Sequence, residues 1–503
     1  MTQEQFLCMK LEQLLINSSF TSLDWLIFLA YFGVLAFSSY WFSRQKINTS
    51  REYFTASNSM PLLAVAISIL ATTQSAATFL GVPEFSYTHN FTLIGFYFSS
   101  LLAVIFVAKF FVPKFYAINA ITVYELLEYR YGESAKKQAG IMFLIGRIMA
   151  SGARLYIAAL AISMILFLDI LLLHMIISIF ILLLGALAYT YFGGVKSIIL
   201  SDVIQALTYV SAGFLVLFYL YTSLGDVAII EILNQENKLT IIDTSLDGKF
   251  SIIGLLSGWL LLNIAAFGLD QDMTQRVLTC KNKEEASRSL ILSILFTIPI
   301  VLLFLSIGAL LFVHYQSTDI LQSFKGEKIT VFMYYILNEM PEGIRGFVTI
   351  GAIAAALSST NSVLGALSSV AIEDLYRPYK LKKDTNTSEA HFIKASRNAV
   401  LLFSLLLFAM ALLSYFWQRY SDLSLIGFAL GVMAFAYTGL LGVFFSAIFT
   451  SRGTVQLVPY SLVGGFLTVL ILQPYTFGFS IGFAWQVTIG TAVSFAIMQV
   501  NTK

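Results

Sequence analysis

The sequence predicts an all-α polytopic membrane protein with about thirteen transmembrane helices. Of its 503 residues, 58% are hydrophobic and only 12% are charged, whereas soluble proteins carry about 25% charged residues. The apolar residues are grouped in runs of roughly 20 or more, the length that a helix needs to cross a bilayer. The formal net charge of +2 does not indicate a nucleic-acid partner, and the lipid bilayer is the expected surrounding.

Thirteen such runs follow one another along the chain. Their approximate limits are 23–43, 58–83, 91–113, 138–168, 171–192, 196–221, 251–274, 289–314, 343–373, 396–417, 422–448, 453–473 and 478–500. Residues 1–22 lack an early basic region, so we expect an outer tail and a retained first helix rather than a cleaved signal peptide. Between the runs, 123–131 has the pattern of an interfacial amphipathic helix, and 330–339 is predicted to form a short helix in an outer loop.

The distribution of basic residues predicts the orientation. With the N-terminus outside, most of the 30 Lys and Arg residues fall in inner loops or at inner helix ends, as the positive-inside rule requires. We therefore expect an outer N-terminus and a cytoplasmic C-terminus in the cell (inner) membrane. Cys8 and Cys280 then lie on opposite sides of the membrane, and no disulfide is expected.

The second run becomes polar where it reaches the centre of the bilayer. Its sequence is Ala71-Thr-Thr-Gln-Ser-Ala-Ala-Thr-Phe-Leu-Gly-Val-Pro83, in which Gly81 and Pro83 are residues that loosen or kink a helix. An ordinary spanning helix whose hydroxyls bond back to its own carbonyls is the alternative. Irregular polar backbone in hydrocarbon is tolerated only where it is buried or lines a wet cavity, and the other polar stretches favour a broken helix here.

The seventh run carries the corresponding feature in the second half of the chain. It contains Asn263 and Gly268 near its middle, and it lies five helices after the second run. An odd separation reverses the direction of a helix through the membrane. Two broken helices of opposite direction are typical of an inverted repeat.

The ninth run concentrates oxygen-bearing side chains on one face. Ala355, Ser358, Ser359 and Ser362 are spaced so that they share that face of a helix, and Asn361 borders it. Small residues also allow close helix packing in lipid, but packing does not explain the accumulated hydroxyls. Neutral oxygen ligands suit a hard, weakly held alkali cation. The stretch therefore predicts an ion site.

Two charged residues lie inside predicted helices. Asp202 is about two turns from the inner face, where a carboxylate costs about 2.5–3.5 kcal/mol on insertion scales and is a functional candidate. Its short side chain makes snorkelling to the interface a weaker explanation. Arg154 lies in the middle of the fourth run and needs an anionic partner, which could be a substrate, Asp202 or Glu84. For residues 271–276, at the inner end of the seventh run, a gate or a structural ion pair is expected.

Four stretches together carry a specific resemblance. They are Ala71-Thr-Thr-Gln-Ser…Pro83, Gly193-Gly…Ser201-Asp-Val-Ile-Gln205, Gln271-Asp…Gln275-Arg276 and Ala354-Ala-Ala-Leu-Ser-Ser-Thr-Asn-Ser362. In this order the chain, from residue 23 onward, resembles the sodium/solute symporter family, which includes proline, sialic acid, glucose, iodide and multivitamin transporters. The resemblance implies the leucine-transporter fold, with 58–448 as a ten-helix inverted-repeat core, 23–43 as a peripheral first helix, and 453–503 as two peripheral helices and the inner C-terminus.

The resemblance also implies two cation sites. By position, the main sodium site would use the backbone carbonyls of Ala71, Gln74 and Ala355 and the hydroxyls of Ser358 and Ser359. A possible second sodium site would use Asp202, Ser358, Asn361 and Ser362. At this second site the chain departs from the family, because Asn361 replaces the expected hydroxyl.

The implied substrate residues surround the same helices. Thr73, Ser75, Thr78 and Arg154 match positions that contact substrate in the sialic acid members of the family, whereas Phe96 falls where those members have a polar contact. Phe96 and Trp259 could pack against an apolar or sugar-ring face of a solute. Asn263, in the seventh run, completes the set of substrate candidates.

These observations predict a secondary active transporter that moves a small organic solute into the cell together with sodium. Arg154 favours a solute with a carboxylate, such as an amino acid, a sialic acid or an organic acid. A neutral sugar or vitamin symporter of the same family and a solute-sensing membrane protein of this fold are the alternatives. No cofactor besides the coupling sodium ion is expected. An enzyme is not predicted, because the four histidines, at positions 89, 174, 314 and 391, lie away from the polar stretches.

Overall fold

The computed structural model describes residues 20–42, 47–245, 248–315, 330–420, 425–478 and 481–500, and all structural statements below concern these residues. Nearly all of them are helical, and the extended pairing among them is a single bridge between Asp243 and Ser251. The prediction of an all-α chain is confirmed. Most of the expected outer tail, Cys8 and the last three residues lie outside the described residues.

The first half of the described chain consists of ten helices and one 3-10 turn. They are α1 (Ser22–Phe42), α2 (Ser50–Thr55), the 3-10 turn Ala56–Asn58, α3 (Leu62–Thr73), α4 (Ala76–Thr88), α5 (Ile94–Phe110), α6 (Val112–Ala117), α7 (Glu125–Tyr131), α8 (Glu133–Phe167), α9 (Leu172–Leu224) and α10 (Ile229–Gln235). Helix α7 confirms the amphipathic segment that the sequence predicts at 123–131.

The second half contains twelve helices and one π-helical segment. They are α11 (Ile252–Leu256), α12 (Gly258–Gly268), α13 (Gln271–Val277), α14 (Lys283–Tyr315), α15 (Val331–Asn338), α16 (Ile344–Ser369), the π-helix Val370–Tyr376, α17 (Arg377–Lys383), α18 (Glu389–Tyr420), α19 (Leu425–Phe449), α20 (Leu457–Ile471), α21 (Pro474–Phe477) and α22 (Phe483–Met498). Helix α15 is the short helix predicted at 330–339.

The number of spanning segments agrees with the prediction once α9 is divided. Among the described residues, seven helices are long and apolar enough to cross a membrane, and two bent helix pairs raise the number to nine. Helix α9 has 53 residues, about 80 Å at 1.5 Å per residue, which is far more than the hydrocarbon core of about 30 Å. Its division at Gly194 and three shorter apolar helices near the C-terminal end bring the described chain to thirteen.

Gly194 separates the two spans of α9 because its backbone is not helical there. Its φ of 58° and ψ of −159° lie in a region that residues with a Cβ atom rarely adopt. A Cβ atom at this position would also collide with the backbone carbonyl oxygen of Tyr53. The two spans are therefore the separate runs that the sequence predicts at 171–192 and 196–221.

The predicted break in the second run is present, but it lies before Gly81 and Pro83. Helix α3 ends at Thr73, Gln74 is extended with φ −87° and ψ 114°, and Ser75 begins α4. Ser75 and Thr78 form a capping box, in which each side chain accepts the other residue's backbone N–H. This box pairs the N–H groups that the break leaves free, whereas Gly81 and Pro83 lie inside the continuous helix α4.

The second broken helix has the same construction. Helix α12 ends at Gly268, and Asp270 is extended with φ −79° and ψ 117°. The Asp270 side chain then caps α13 by accepting the backbone N–H of Asp272 at 3.0 Å. The chain axis bends by 56° at this break. The break falls at Asp270, two residues after Gly268, the glycine that the sequence indicates.

Helix α16 lies at the centre of these elements and is almost entirely buried. It packs against both spans of α9, α3, α4, α8 and α13. Exposed apolar side chains are common instead on α1, α5, α9 and α18, as expected for surfaces in contact with lipid. The central position of α16 brings its hydroxyl-rich face against the first broken helix.

The loop after α10 covers the end of α4. The Lys238 ammonium group donates to the Tyr87 carbonyl oxygen at 2.6 Å and lies 4.1 Å from the centroid of the Phe312 ring. Burial lowers the pKa of Lys238 below that of an exposed lysine. The same loop continues to Lys249 and Phe250, which contact the central cavity.

Candidate functional site

A cavity of about 270 Å³ lies between the two broken helices. Its walls come from α3, α4, α5, α8, α12 and α19, so it is enclosed by both halves of the chain. The volume is close to the lower end of the range for small-molecule sites, about 300 Å³. All seven predicted substrate residues line it: Thr73, Ser75, Thr78, Phe96, Arg154, Trp259 and Asn263.

Arg154 reaches this cavity from α8 and makes no ion pair within the described part of the chain. Its Nη2 atom lies 2.8 Å from the Met433 sulfur, which is a weak acceptor. Asp202 is paired with Arg276 instead, with 3.0 Å between Nη2 and Oδ2, and Glu84 accepts a backbone N–H of α15 at 2.8 Å. The two protein carboxylates considered as partners of Arg154 are therefore engaged elsewhere.

Asn263 provides a second polar donor in the cavity wall. Its side chain is buried, and its Nδ2 atom has no hydrogen-bond partner among the described residues. A buried donor left without an acceptor costs about 1–3 kcal/mol. Arg154 and Asn263 thus place two donor-bearing side chains in the wall of the same cavity, which favours an acceptor-bearing ligand.

The hydroxyls on the first broken helix have the opposite character. Thr73 Oγ1 donates to the Leu70 carbonyl at 2.7 Å, and the Ser75 and Thr78 oxygens accept the capping N–H groups at 3.4 and 3.3 Å. Their positions are fixed by the backbone. They therefore present preorganised polar groups at the end of the cavity where the helix is interrupted.

Aromatic rings form another part of the cavity wall. Phe96 and Trp259 meet edge to face with ring centroids 5.4 Å apart, and Phe250 lies 5.5 Å from Trp259. The Trp259 Nε1 atom donates to the Lys249 carbonyl at 2.9 Å, which fixes the orientation of the indole. These rings give the cavity an apolar part of its wall.

Several oxygen atoms converge at the first break. The Ser359 hydroxyl lies 3.3 Å from the carbonyl oxygen of Thr72, 3.5 Å from that of Gln74 and 3.3 Å from that of Ala355. Three of the five predicted main-site residues, Gln74, Ala355 and Ser359, meet at this point. Ala71 is buried on α3 in a small cluster with Leu70 and Ala206. The Thr72 carbonyl was not predicted. Neutral carbonyl and hydroxyl oxygens from two helices are the ligand type that alkali cations prefer.

Ser358, the remaining predicted main-site residue, is directed elsewhere. Its hydroxyl donates to Asp202 Oδ1 at 2.8 Å, and the hydroxyl of Ser68 donates to Oδ2 at 2.5 Å. Arg276 Nη2 contacts the same oxygen and also donates to the Ser362 hydroxyl. The carboxylate is completely buried, and its charge is compensated by Arg276.

Asn361 does not join this cluster. With its amide oriented to suit its neighbours, the side-chain nitrogen donates to the carbonyls of Leu357 and Ala186, each at 3.3 Å. Its side chain therefore faces the first span of α9. Of the four residues predicted for a second sodium site, the structure brings together Asp202, Ser358 and Ser362 and directs Asn361 away.

A chain of buried ion pairs connects Asp202 to the solute cavity. Arg276 lies 3.4 Å from an Asp272 oxygen, Asp272 also pairs with Arg147, and Arg147 Nη1 lies 2.8 Å from Asp270 Oδ2. Asp270 in turn accepts the Tyr437 hydroxyl. Arg147, Asp270 and Tyr437 line the cavity, so the ion pairs form one of its boundaries.

These contacts include residues that the sequence did not single out. Arg147 and Arg154 are seven residues apart on one helical face, and this spacing signals that two anions are needed. Ser68 is one hydroxyl among many in an apolar run, and Tyr437 is distant in sequence. Neither carries a local signal. The ion pairs expected for 271–276 are present at Asp272 and Arg276.

Two interrupted helices around a cavity lined by both halves of the chain, with buried polar sites beside it, are typical of a multi-pass membrane protein of the transporter class. The profile of the Sodium:solute symporter family matches residues 53–465, which is most of the chain. This protein belongs to the sodium:solute symporter family.

Two sialic acid symporters match the chain over nearly its full length, and a multivitamin transporter matches a shorter part of it. The sodium/sialic acid symporter of Aliivibrio fischeri is 27% identical over 487 residues, which cover 94% of this chain and 91% of that protein. The sodium/sialic acid symporter of Proteus mirabilis is 26% identical, with 94% and 93% covered. The sodium-dependent multivitamin transporter of Oryctolagus cuniculus is 28% identical over 419 residues, with 79% and 63% covered.

Solved structures confirm the fold. A Na+-coupled sialic acid symporter in a substrate-bound outward-open state superimposes with a TM-score of 0.82 at 24% identity, covering 95% of this chain and 97% of that one. Mhp1, a nucleobase-cation-symport-1 family transporter in a closed conformation, gives a TM-score of 0.57 at 14% identity, covering 88% and 92%. The predicted transporter fold with its two broken helices is therefore correct.

Proposed function

We propose that this protein is a sodium-coupled symporter that carries a small, carboxylate-bearing organic solute into the cell. The observation that carries this proposal is Arg154, a guanidinium that reaches an enclosed cavity while the nearby protein carboxylates pair with other groups. A charge held in a poorly solvated site is costly unless an opposite charge meets it. The sodium coupling of the full-length relatives and the oxygen cluster at Ser359 support the cation half of the proposal.

The solute would lie with its carboxylate towards Arg154 and its body against the aromatic wall. The planar guanidinium can bind a carboxylate through two parallel hydrogen bonds. Asn263 would donate to a second acceptor, while Thr73, Ser75 and Thr78 would contact hydroxyl or amine groups. Phe96 and Trp259, which meet edge to face with ring centroids 5.4 Å apart, would cover an apolar or ring face.

The sodium ion would bind where the Ser359 hydroxyl meets the carbonyls of the first break. We include Gln74 and Ala355 among its ligands, with Ala71 beside them, and we add the carbonyl of Thr72. A second cavity of about 20 Å³ adjoins this point and shares Thr72, Ser75 and Arg154 with the solute cavity. The cation and the solute would therefore order the same short segment, which links their affinities.

At the predicted second sodium site the contacts favour a different occupant. The Arg276 guanidinium already lies 3.0 Å from the Asp202 carboxylate, and Asn361 faces α9. We infer that Arg276 supplies the positive charge there and that one sodium ion moves with each solute. One sodium ion and one carboxylate carry no net charge, so uptake of a monoanion would be insensitive to membrane potential.

Ligand screening of the purified protein followed by uptake into liposomes tests the proposal. We expect amino acids, sialic acids or organic acids to raise the melting temperature only when sodium is present, and the same compounds to accumulate under an inward sodium gradient. Neutral sugars and vitamins serve as the comparison set. Stabilisation by a neutral solute alone would contradict the carboxylate, binding without uptake would favour a sensor, and uptake without sodium would refute the coupling.

The orientation belongs to the same proposal. The basic residues of the loops support an outer N-terminus and a cytoplasmic C-terminus in the cell membrane. Cysteine labelling from either side, at a position in the loop before α10 and at one in α17, checks this orientation. Labelling of the α17 position from outside would refute it.

A further inference from the structure

Gln205 is a buried polar residue that the proposed sites do not use. It lies in the second span of α9, it is completely buried, and neither its side-chain oxygen nor its nitrogen has a hydrogen-bond partner among the described residues. A buried polar group without a partner costs about 1–3 kcal/mol. The carboxamide contains two such groups. A ligand that binds either of them removes part of this cost, and the binding free energy becomes more favourable.

The contacts of α9 with α16 show which residue lies opposite Gln205. Ile198 and Ala212 lie seven residues before and after it, so the three share one helical face. Ile198 packs at Gly365, where an added Cβ atom would be 3.3 Å from Cδ1, and Ala212 packs directly at Gly351. The helices are therefore antiparallel here. Halfway between the two contacts, Gln205 lies opposite Ser358.

The contacts of α9 with α3 show which residue of α3 lies beside Gln205. Three residues earlier, Asp202 accepts the hydroxyl of Ser68, and four residues later Tyr209 donates to the Gln74 side-chain oxygen at 3.2 Å. Between these two contacts α9 packs against Ala71 through Ala206. Gln205 thus lies at the level of Ala71, about one turn from both polar contacts.

Gln205 is consequently on the seam between α3 and α16, at the level of Ala71 on one helix and Ser358 on the other. These are two of the residues that frame the main cation site. Because the Ser358 hydroxyl is bonded to Asp202, the predicted ligand set of the main cation site lacks one side-chain oxygen at this level. Amide oxygens are hard neutral ligands of the kind that group 1 and 2 cations accept.

We propose that the carboxamide oxygen of Gln205 is a further ligand of the sodium ion at the main site, in the position left by Ser358. The proposal rests on the sodium coupling proposed above and extends it to a third helix. A ligand on α9 would tie that helix to α3 and α16 whenever the cation is bound.

Sodium-dependent thermal unfolding of the full-length protein in detergent tests this assignment. Sodium chloride is titrated against choline chloride at constant ionic strength, and the half-effect concentration is read from the melting temperature. For Gln205→Leu we expect that concentration to rise about tenfold, because one charge-assisted contact is lost. Ser197→Ala, another buried and unpartnered polar position on the same helix, is the matched control and should keep the wild-type value.

Gln205→Glu keeps the shape and provides an independent readout. A carboxylate at this position should make sodium binding depend on pH, with affinity falling as pH falls, because protons compete with sodium for it. The assignment would be overturned if Gln205→Leu kept the wild-type half-effect concentration of sodium. It would also be overturned if Gln205→Glu kept that concentration at every pH. If Gln205→Leu does not fold, the isosteric glutamate variant alone decides. Absence of any sodium-specific shift in the wild type would instead refute the sodium coupling.

Discussion

Both broken helices have an extended residue at the break, Gln74 in the first and Asp270 in the second, but the chemistry around the two breaks is very different. The first break, at Gln74 and Ser75, is surrounded by neutral oxygens and closed by hydroxyl caps. The second break, at Asp270, is surrounded by two carboxylates and two guanidiniums that are almost completely buried. A neutral break can accept and release a cation with little change in its own bonding. A charged break separates only when several buried ion pairs are disrupted together.

This difference indicates a division of labour within the inverted repeat. The first break would bind the ion and contact the solute, while the ion pairs at the second break would hold one boundary of the cavity closed. Removing one member of a buried ion pair costs about 3–5 kcal/mol, whereas a lost cap costs about 1 kcal/mol. Disruption of the second break should therefore be the more damaging.

The largest effect is expected for Asp272→Asn, which tests this ranking directly. Asparagine keeps the shape of the side chain but leaves Arg147 and Arg276 short of one negative charge. We expect the free energy of unfolding, measured by chemical denaturation in mixed micelles, to fall by about 3–5 kcal/mol. Ser75→Ala at the neutral break is the comparison and should lose about 1 kcal/mol. Equal losses in the two variants would abolish the distinction between the breaks.

The next variant, Arg276→Gln, asks whether the charged break also excludes a second sodium ion. Without the guanidinium, Asp202 would be free to pair with sodium, and one more positive charge would move with each solute. Transport would then respond to membrane potential by about 2.3 kcal/mol per 100 mV. Reversal potentials of reconstituted protein measure this number. If the wild type already moved two sodium ions per solute, the Arg276 guanidinium would not be taking the place of the second sodium ion at Asp202.

Arg154→Lys tests Arg154, which makes no ion pair among the described residues, whereas Arg147 on the same helix is paired with Asp270 and Asp272. Lysine keeps the charge but loses the planar fork, so binding of a carboxylate solute should weaken roughly tenfold to hundredfold. Binding is measured by calorimetry at saturating sodium, and folding is checked by the melting temperature without solute. A variant that binds the acid as well as the wild type would assign Arg154 a structural role.

The smallest effect separates the two adjacent serines of α16. Ser359→Ala should raise the sodium concentration for half-maximal uptake by about tenfold, because its hydroxyl joins the carbonyls at the neutral break. Ser358→Ala removes a hydrogen bond to Asp202 instead and should affect stability more than sodium affinity. The reverse order of sodium affinities would show that Ser358 turns towards the cation during transport.

Much of the fold is predictable because hydropathy and charge act over whole helices. The thirteen runs, the short helix α15 and the interruption of both broken helices follow from patterns of this kind. The break itself lies at Gln74 rather than at Gly81 or Pro83, because a capping box stabilises a helix start more specifically than glycine or proline disrupts a helix. That competition depends on which backbone groups the neighbouring helices can satisfy, and the sequence alone does not contain this information.

The sequence predicts which residues lie at the candidate site, but it does not predict which of their side chains contact one another. All seven substrate candidates line one cavity, because they lie on elements that the inverted repeat brings together. Side-chain direction escapes prediction: Ser358 and Ser359 are neighbours on α16 but face different polar groups, and Asn361 turns towards α9. The pairing of Asp202 with Arg276 depends on the bend at Asp270. The roles proposed for these residues stay predictions until they are measured.

The oxygen cluster at Ser359 has a consequence for how such a protein can diverge. Three of its four oxygens belong to the backbone at Thr72, Gln74 and Ala355, and no side-chain substitution deletes a carbonyl. The cavity wall, by contrast, is made of side chains such as Phe96, Trp259 and Asn263. Mutation can therefore exchange the cargo while the driving ion is retained, and a single architecture can give rise to transporters of unrelated nutrients.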